Sequence, residues 1–235
     1  MKSVDKWLDQ IDKKKLVLVF PHPDDETVWC AGLIQRAIKK DWEVKVVCLT
    51  QGERGQVHVK PNGKNLSQIR QEEMKRAMEI LGAEFEMHDF GDGRLKETRG
   101  WKKFLAKTLE TEESGVVVTY DLSGLSGHPD HIAVAAECLK LTRTDRNWRL
   151  VWVTVEGRIR EYVNKKSESA KYLTKPNLEL RLSVWEWIQK HRALAAHRSQ
   201  PLGSVKRLFV TYRKEHFLAA NVNRKYKYKY VDFKI

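Results

Sequence analysis

Two short segments of the chain combine imidazole and carboxylate groups at close spacing. The first is PHPDDE at residues 21–26, and the second is GHPDH at residues 127–131. Two histidines and one carboxylate form the ligand set of hydrolytic zinc sites and also of non-haem iron(II) oxygenases. A strand–turn–helix junction with an acidic helix cap is the alternative for the first segment, although it explains one carboxylate and gives His22 no role. Taken alone, each segment leaves a structural and a metal-binding interpretation open. The pair favours one shared metal site, and ligand type leaves zinc and iron(II) both open.

Apolar runs typical of β-strands precede both segments. LVLVF at residues 16–20 leads directly into the first, and VVVTY at residues 116–120 is followed by a short Gly/Ser loop before the second. Because the carboxyl ends of strands form the ligand-binding edge of open α/β sheets, the two segments are expected to meet there. Pro129 fits the first turn of a following helix. The positive end of that helix keeps nearby histidines neutral, which suits ligation or proton transfer.

Strand-like and helix-like patterns alternate along the chain. Strands are predicted over residues 15–21, 43–50, 85–90, 115–121 and 149–156, and helices over 26–40, 67–81, 101–109 and 129–141. Residues 157–175 are polar and irregular, and a long helix over 177–198 and two strands, 207–212 and 217–222, are predicted after them. Repeated βα alternation predicts a Rossmann-like α/β fold, a mostly parallel sheet with helices on both faces. A C-terminal β-rich elaboration completes the expected fold.

The two segments resemble those of the LmbE-like, or PIG-L-type, N-acetylglucosaminyl deacetylases. That family has a His-Pro-Asp-Asp segment after the first strand and a His-Pro-Asp-His segment after a later one, which stand here at residues 22–25 and 128–131. The resemblance extends to TQGERG at 50–55, RQEE at 70–73, FGDGRL at 90–95 and KHRALAAHRSQ at 190–200. It covers residues 15–200 and implies one domain over 1–235, with 201–235 as a basic extension.

The resemblance also implies roles for individual residues. The implied zinc ligands are His22, Asp25 and His131. Asp24 would be the general base, and His128, steadied by Asp130, would polarise the carbonyl oxygen and assist protonation. This division is chemically coherent, since a carboxylate beside a metal can take a proton from water while a second donor stabilises the oxyanion.

Two further residues are implied to bind substrate. Arg54 follows the second strand at the same edge of the sheet, where its planar guanidinium suits hydroxyl, carboxylate or phosphate groups. A solvent-facing loop arginine is the alternative, and the family's loop favours substrate binding. His197, at the end of the long helix, is included only as a pocket residue, since a helix C-terminus favours any histidine.

The resemblance implies a zinc-dependent hydrolase that removes the N-acetyl group from an N-acetylglucosamine-containing small molecule and releases acetate. Two alternatives remain open. A metal-dependent esterase would use the same site on a different bond. A nucleic-acid-binding protein would use the basic C-terminal residues as its working surface.

Charge is the feature that suggests nucleic acid. The net charge is +13, and residues 201–235 contain nine Lys or Arg against two Asp or Glu. KYKYKY at residues 225–230 would place lysines and tyrosines on opposite faces of a strand, where they could contact phosphates and stack on bases. An edge strand protected by lysines explains the same pattern. Because no nucleic-acid-binding signature accompanies it, this partner is disfavoured.

Composition narrows the cellular setting. No apolar stretch approaches the ~20 residues of a membrane span, and the first residues lack the apolar region of a secretory signal. Three dispersed cysteines indicate buried free thiols in a reducing compartment. The chain is therefore expected to be cytoplasmic, without a membrane partner. Its oligomeric state, monomer or homo-oligomer, is left open.

Overall fold

The structure is a computed structural model that describes residues 1–60, 62–166, 168–200 and 213–221. The described residues form one eight-stranded sheet in the order β1-β7-β8-β6-β5-β2-β3-β4. The strands are β1 (Lys2–Ser3), β2 (Lys15–Phe20), β3 (Glu43–Cys48), β4 (Glu84–Met87), β5 (Gly115–Tyr120), β6 (Trp148–Thr154), β7 (Leu178–Arg181) and β8 (Lys214–Ala219). The predicted strand 207–212 and the Lys/Tyr segment 225–230 lie outside the described residues.

The helices connect successive strands. They are α1 (Val4–Leu8), α2 (Asp25–Lys39), α3 (Leu66–Leu81), α4 (Gly100–Glu112), the single turn α5 (Gly124–Gly127), α6 (Pro129–Thr144), α7 (Gly157–Lys166) and α8 (Val184–Ala196). A 3₁₀ turn, Glu168–Tyr172, follows α7. Helix α3 begins at a capping box formed by Asn65 and Gln68 and ends at Gly82, which adopts the left-handed conformation usual at this position.

The centre of the sheet is parallel. β2 pairs with β3 on one side and with β5 on the other, and Leu18 lies opposite both Val46 and Val118. All six residues of β5 are buried, so both faces of the sheet are covered there. Only β8 runs antiparallel to its neighbours, β6 and β7, among the strands described. The predicted fold class, a mostly parallel α/β sheet, is confirmed.

The predicted long helix over 177–198 is wrong in its first part. Residues 178–181 form β7, with Leu178 and Leu180 buried on one side of an alternating Leu-Glu-Leu-Arg pattern. The helix starts only at Val184, because Ser183 and Glu186 form a capping box that fixes its first turn. Residues 157–175, predicted to be irregular, contain α7 and the 3₁₀ turn.

A buried ion pair joins three elements behind the sheet edge. Lys190 of α8 lies 2.7 Å from the Glu215 carboxylate of β8, and both side chains are fully buried. The same carboxylate accepts the backbone N–H groups of Gly32 and Leu33 in α2, each at 2.9 Å. Four polar groups are thereby paired inside an otherwise apolar region. All three cysteines are buried and free, as predicted.

Candidate active site

Side chains from β2, α2 and α6 converge at the carboxyl edge of the sheet. His22 follows β2, Asp25 begins α2 and His131 lies in the first turn of α6. The Nδ1 atom of His22 is 3.2 Å from His131 Nε2 and 3.5 Å from Asp25 Oδ2. The remaining pair, His131 Nε2 and Asp25 Oδ2, is 3.7 Å apart. The two segments that the sequence predicted to meet are thus in contact.

Local sequence explains how the two helices start. Pro23 cannot continue the β2 ladder, and Asp24 adopts a left-handed conformation, φ 115°, that turns the chain into α2. At α6, Pro129 occupies the first turn, and the ring of His128 caps the helix by accepting the backbone N–H of Asp130 at 3.2 Å. Each predicted metal segment is therefore a helix start.

The second polar atom of each clustered side chain also has a partner. The hydroxyl of Tyr120 donates to Asp25 Oδ1 at 2.6 Å. His131 Nδ1 lies 2.9 Å from the carbonyl oxygen of Gly124 and donates to it. The Nε2 atom of His22 faces two carboxylates, at 3.1 Å from Asp92 and 3.4 Å from Asp130. Partners of this kind orient metal ligands and fix which histidine nitrogen is free to bind.

The cluster fits a tetrahedral metal ion. Bonds of about 2.0–2.2 Å from zinc to nitrogen or oxygen, at tetrahedral angles, separate ligand atoms by about 3.3–3.6 Å. The three contacts among His22, Asp25 and His131 span 3.2–3.7 Å. Two further sets around His22, one with His128 and His131 and one with Asp92 and Asp130, also have ligand atoms that all lie within 4.8 Å of one another. The described residues therefore contain a candidate His/Asp metal site.

Negative charge dominates the surroundings of His22. Burial opposes a charged ring, but hydrogen bonds with Asp130, Asp25 and Asp92 outweigh it and hold the pKa of His22 well above its usual value. His131 behaves differently, because burial lowers its pKa to about 4. Three carboxylates thus concentrate negative potential at one point, an arrangement that suits a cation.

His128 stands beside the cluster. Its ring centroid is 4.7 Å from that of His22 and 4.9 Å from that of His131. Burial, together with the charge of His22, lowers the pKa of His128. His128 was predicted to be steadied by Asp130, and the carboxylate of Asp130 does not make that contact. That carboxylate accepts the backbone N–H groups of Gly93 and Leu95 and faces His22, so Asp130 holds His128 through its backbone N–H instead.

The other predicted residues occupy distinct positions. Asp24 is buried next to Asp25, and its carboxylate lies 3.7 Å from the guanidinium of Arg70. Arg54 is exposed on the rim, with its backbone N–H bonded to Asp92 at 3.0 Å. His197 is buried behind the first turn of α2, with Nε2 3.4 Å from the Thr27 hydroxyl. Its position is therefore beneath the site and not on the exposed rim.

Three residues of the site were missed by sequence reasoning. In the sequence, Tyr120 is the end of an apolar strand, and its place next to Asp25 arises because β2 and β5 end side by side. Asp92 lies in the FGDGRL segment, where the sequence predicts no role for it. Glu26 is fully buried, and burial raises its pKa to about 7. The signal for Glu26 in the sequence was its position directly after the two aspartates.

Comparison with known proteins identifies the family of this site. Residues 17–142 match the family described as PIG-L: GlcNAc-PI de-N-acetylase. That region contains both histidine segments and all three side chains of the cluster, those of His22, Asp25 and His131. The chain belongs to the PIG-L, or LmbE-like, family. The predicted family is confirmed, and the matched region includes β5, α2 and most of β2.

Two similar proteins match different lengths of this chain. Diacetylchitobiose deacetylase from Thermococcus kodakarensis is 36% identical over 123 residues, which are 51% of this chain and 46% of that protein. A probable N-acetyl-alpha-D-glucosaminyl L-malate deacetylase from Bacillus anthracis is 31% identical over 180 residues, covering 67% of this chain and 79% of the relative. The first match thus spans less than half of the relative, and the second spans most of it.

The fold is shared with a solved PIG-L-type structure. N,N'-diacetylchitobiose deacetylase from Pyrococcus horikoshii superposes with a TM-score of 0.70, at 21% identity, over 94% of this chain and 89% of that one. At this identity the similarity supports the fold. Among the described helices, none has the length and apolar character needed to cross a membrane.

Proposed function

We propose that the protein is a zinc-dependent N-deacetylase that hydrolyses the acetamido group of an N-acetylglucosamine-containing small molecule, giving acetate and a free amine. The observation that carries this proposal is the compact His22, Asp25 and His131 cluster, with spacings of 3.2–3.7 Å, inside the family-matched region. Neither an ester bond nor a nucleic acid is favoured by a comparable observation in the described residues.

The substrate class is supported by the relatives. The two similar proteins are described as deacetylases of diacetylchitobiose and of N-acetylglucosaminyl L-malate. Both substrates carry an N-acetyl group on glucosamine and differ in what is attached to the sugar. We therefore propose an N-acetylglucosamine conjugate for this chain, with its second part contacted by loops around the rim.

The metal would be held by His22, Asp25 and His131. When bound, zinc supplies Lewis acidity that polarises a carbonyl oxygen and brings the pKa of water near 7. Zinc is preferred to iron(II) because the proposed reaction is a hydrolysis and needs no redox change. The partners of the three side chains, Tyr120 among them, would keep the ligand atoms aimed at one point.

Asp24 is proposed as the general base. Its carboxylate is adjacent in sequence to a proposed ligand but has other neighbours: Asp24 faces Arg70, whereas Asp25 faces Tyr120 and His22. It makes no side-chain capping bond to α2. Such a carboxylate can take a proton from the attacking water and pass it toward the leaving amine.

His128 is proposed to stabilise the developing oxyanion. Its Nδ1 accepts the backbone N–H of Asp130, so in the neutral ring the proton resides on Nε2. The Nε2–H group can then donate to the substrate carbonyl oxygen, a contact that strengthens as negative charge develops. Arg54, exposed on the rim, would bind sugar hydroxyls or an anionic group on the conjugate.

Acetate release tests the proposal. Purified protein loaded with zinc would be assayed with N,N'-diacetylchitobiose and N-acetylglucosaminyl L-malate. Asp25→Ala should lose both metal and activity. Asp24→Asn should keep the metal while kcat falls by roughly 10²- to 10⁴-fold. Asp41→Asn is the matched control, because Asp41 also has a left-handed backbone, φ 61°, but lies in a turn outside the site.

Three outcomes would contradict the proposal or one part of it. Fully metal-loaded protein that releases no acetate from any N-acetylglucosamine conjugate would rule out the substrate class. Hydrolysis of O-acetyl sugars without any amide cleavage would indicate an esterase. Full activity of metal-loaded Asp24→Asn would remove Asp24 as the base while leaving the metal site intact.

A further inference from the structure

The left-handed conformation of Asp24 requires support. An L-residue rarely adopts φ 115°, and here it occurs at the turn between a zinc-ligand candidate and the helix that carries another. Such conformations persist when surrounding contacts over-determine them. The contacts at this turn therefore show what fixes the Asp24 carboxylate in space.

The guanidinium group of Arg70 in α3 makes two of the contacts at this turn. Arg70 is buried, with 5% of its surface exposed. Its Nη2 atom donates to the carbonyl oxygen of Pro23, immediately before Asp24, and lies 3.7 Å from Asp24 Oδ2. Its Nη1 atom donates to the carbonyl oxygen of Gly52 at 3.1 Å. A single side chain thus forms hydrogen bonds with the loops after both β2 and β3.

The loop after β3 is shaped around this guanidinium. Gly52 has φ +63°, and a Cβ atom there would lie 2.1 Å from Arg70 Nη1 and 2.5 Å from Arg70 Cζ. No larger residue fits unless Arg70 moves. The loop backbone therefore wraps the planar group closely, and the guanidinium has little freedom to change its position.

We infer that Arg70 is a positioning residue for Asp24. By holding Pro23 through its carbonyl and Asp24 through its charge, it keeps the proposed base in the orientation that the reaction needs. A planar fork of N–H donors can satisfy both loops at once, which a lysine ammonium does less well. The inference rests on the proposed role of Asp24 as general base.

A double-mutant cycle in zinc-loaded protein tests the inference. Arg70→Met should lower kcat by about 10- to 100-fold, because small displacements of a catalytic group have effects of this size. KM and metal content should change little. In an Asp24→Asn background, Arg70→Met should lower kcat no further, because the group that it positions is already lost.

Arg36→Met is the matched control. Arg36 is a partly buried arginine of α2 that pairs with Glu186 at 2.7 Å and also with Asp5, away from the site. Its loss should lower the melting temperature without a fall in kcat. If Arg70→Met fails to fold, Arg70→Lys takes its place in the cycle. Lysine keeps the charge but cannot form hydrogen bonds with both loops at once in the way that the guanidinium does.

Each failure has its own signature. If Arg70→Met lowers kcat equally in the parent and Asp24→Asn backgrounds, Arg70 acts independently of Asp24 and the inference is wrong. An unchanged kcat in Arg70→Met overturns it as well. If Asp24→Asn alone leaves kcat unchanged, the proposed base is wrong. Restoration of kcat in Arg70→Ala by added methylguanidinium would support the inference, and restoration of folding alone would contradict it.

Discussion

The hydroxyl of Tyr120 offers a sensitive test of the ligand cluster. Tyr120 is completely buried at the end of β5, and it donates to Asp25 Oδ1 at 2.6 Å. Burial, reinforced by the Asp25 charge, holds the pKa of Tyr120 well above its usual range, so the hydroxyl keeps its proton and remains a donor. Its ring stacks on His131, with centroids 4.0 Å apart and planes at 5°.

Tyr120→Phe removes the hydroxyl and keeps the stacked ring. A hydrogen bond to a charged group contributes about 1.5–3 kcal/mol. Since each 1.4 kcal/mol is tenfold, the affinity for zinc should fall by about 10- to 100-fold. The assay is a competition titration against a chelator of known affinity, with metal content measured at each point.

Thr119→Val is the control for this measurement. Thr119 is the neighbouring residue of the same strand, and its buried hydroxyl has no hydrogen-bond partner among the residues that the structure describes. Adjacent strand residues point to opposite faces of the sheet, so this change removes a buried hydroxyl away from Asp25. Equal zinc affinities in the parent, Tyr120→Phe and Thr119→Val would refute the argument that Tyr120 orients Asp25.

Three further predictions concern stability. Gly124→Ala should lower the free energy of unfolding by about 1–3 kcal/mol and weaken metal binding, measured by urea titration and metal content, because Gly124 has φ +62° and a Cβ would lie 2.9 Å from His131 Cβ. Lys190→Met should cost about 3–5 kcal/mol by leaving the Glu215 charge buried without its cation, and adding Glu215→Gln should recover much of this in thermal unfolding. Burial lowers the pKa of His216 in the folded state, so below about pH 6.5 the unfolded chain binds more protons than the folded one. The free energy of unfolding should therefore fall as the pH is lowered through this range. Urea titrations should find a smaller fall in His216→Gln.

The sequence predicted the parallel core because its strands are continuous apolar runs. Residues 16–20 and 116–120 are buried throughout, and no polar face competes with a strand interpretation. β7 was missed because its four residues gain their partners from distant parts of the chain, β1 and β8, where Leu178 lies opposite Lys2 and Phe217. Such a pairing is not encoded in local periodicity. The capping box at Ser183 was a local signal that the helix begins after β7.

The contact among His22, Asp25 and His131 was predictable because these residues stand in two compact segments. The hydrogen-bond partners of these side chains were not predictable, because they depend on which strands and loops become neighbours in the fold. Tyr120 reaches Asp25 only because β5 lies beside β2. The carboxylate of Asp130 reaches His22 because the loop containing Gly93 and Leu95 holds it in place, so its contact with His128 is through the backbone instead. The position of Arg70 similarly needs α3 to be packed against two loops.

The pairing of His22 with His131 joins positions 109 residues apart in the chain. An ion held between them is a cross-link that exists only in the folded state, because the unfolded chain rarely brings such distant residues together. Binding of this kind adds RT ln(1 + [L]/Kd) to stability, about 4 kcal/mol when free metal exceeds Kd a thousandfold. With a metal bound there as proposed, the resistance of this fold to heat and denaturant would be coupled to the free metal concentration around it.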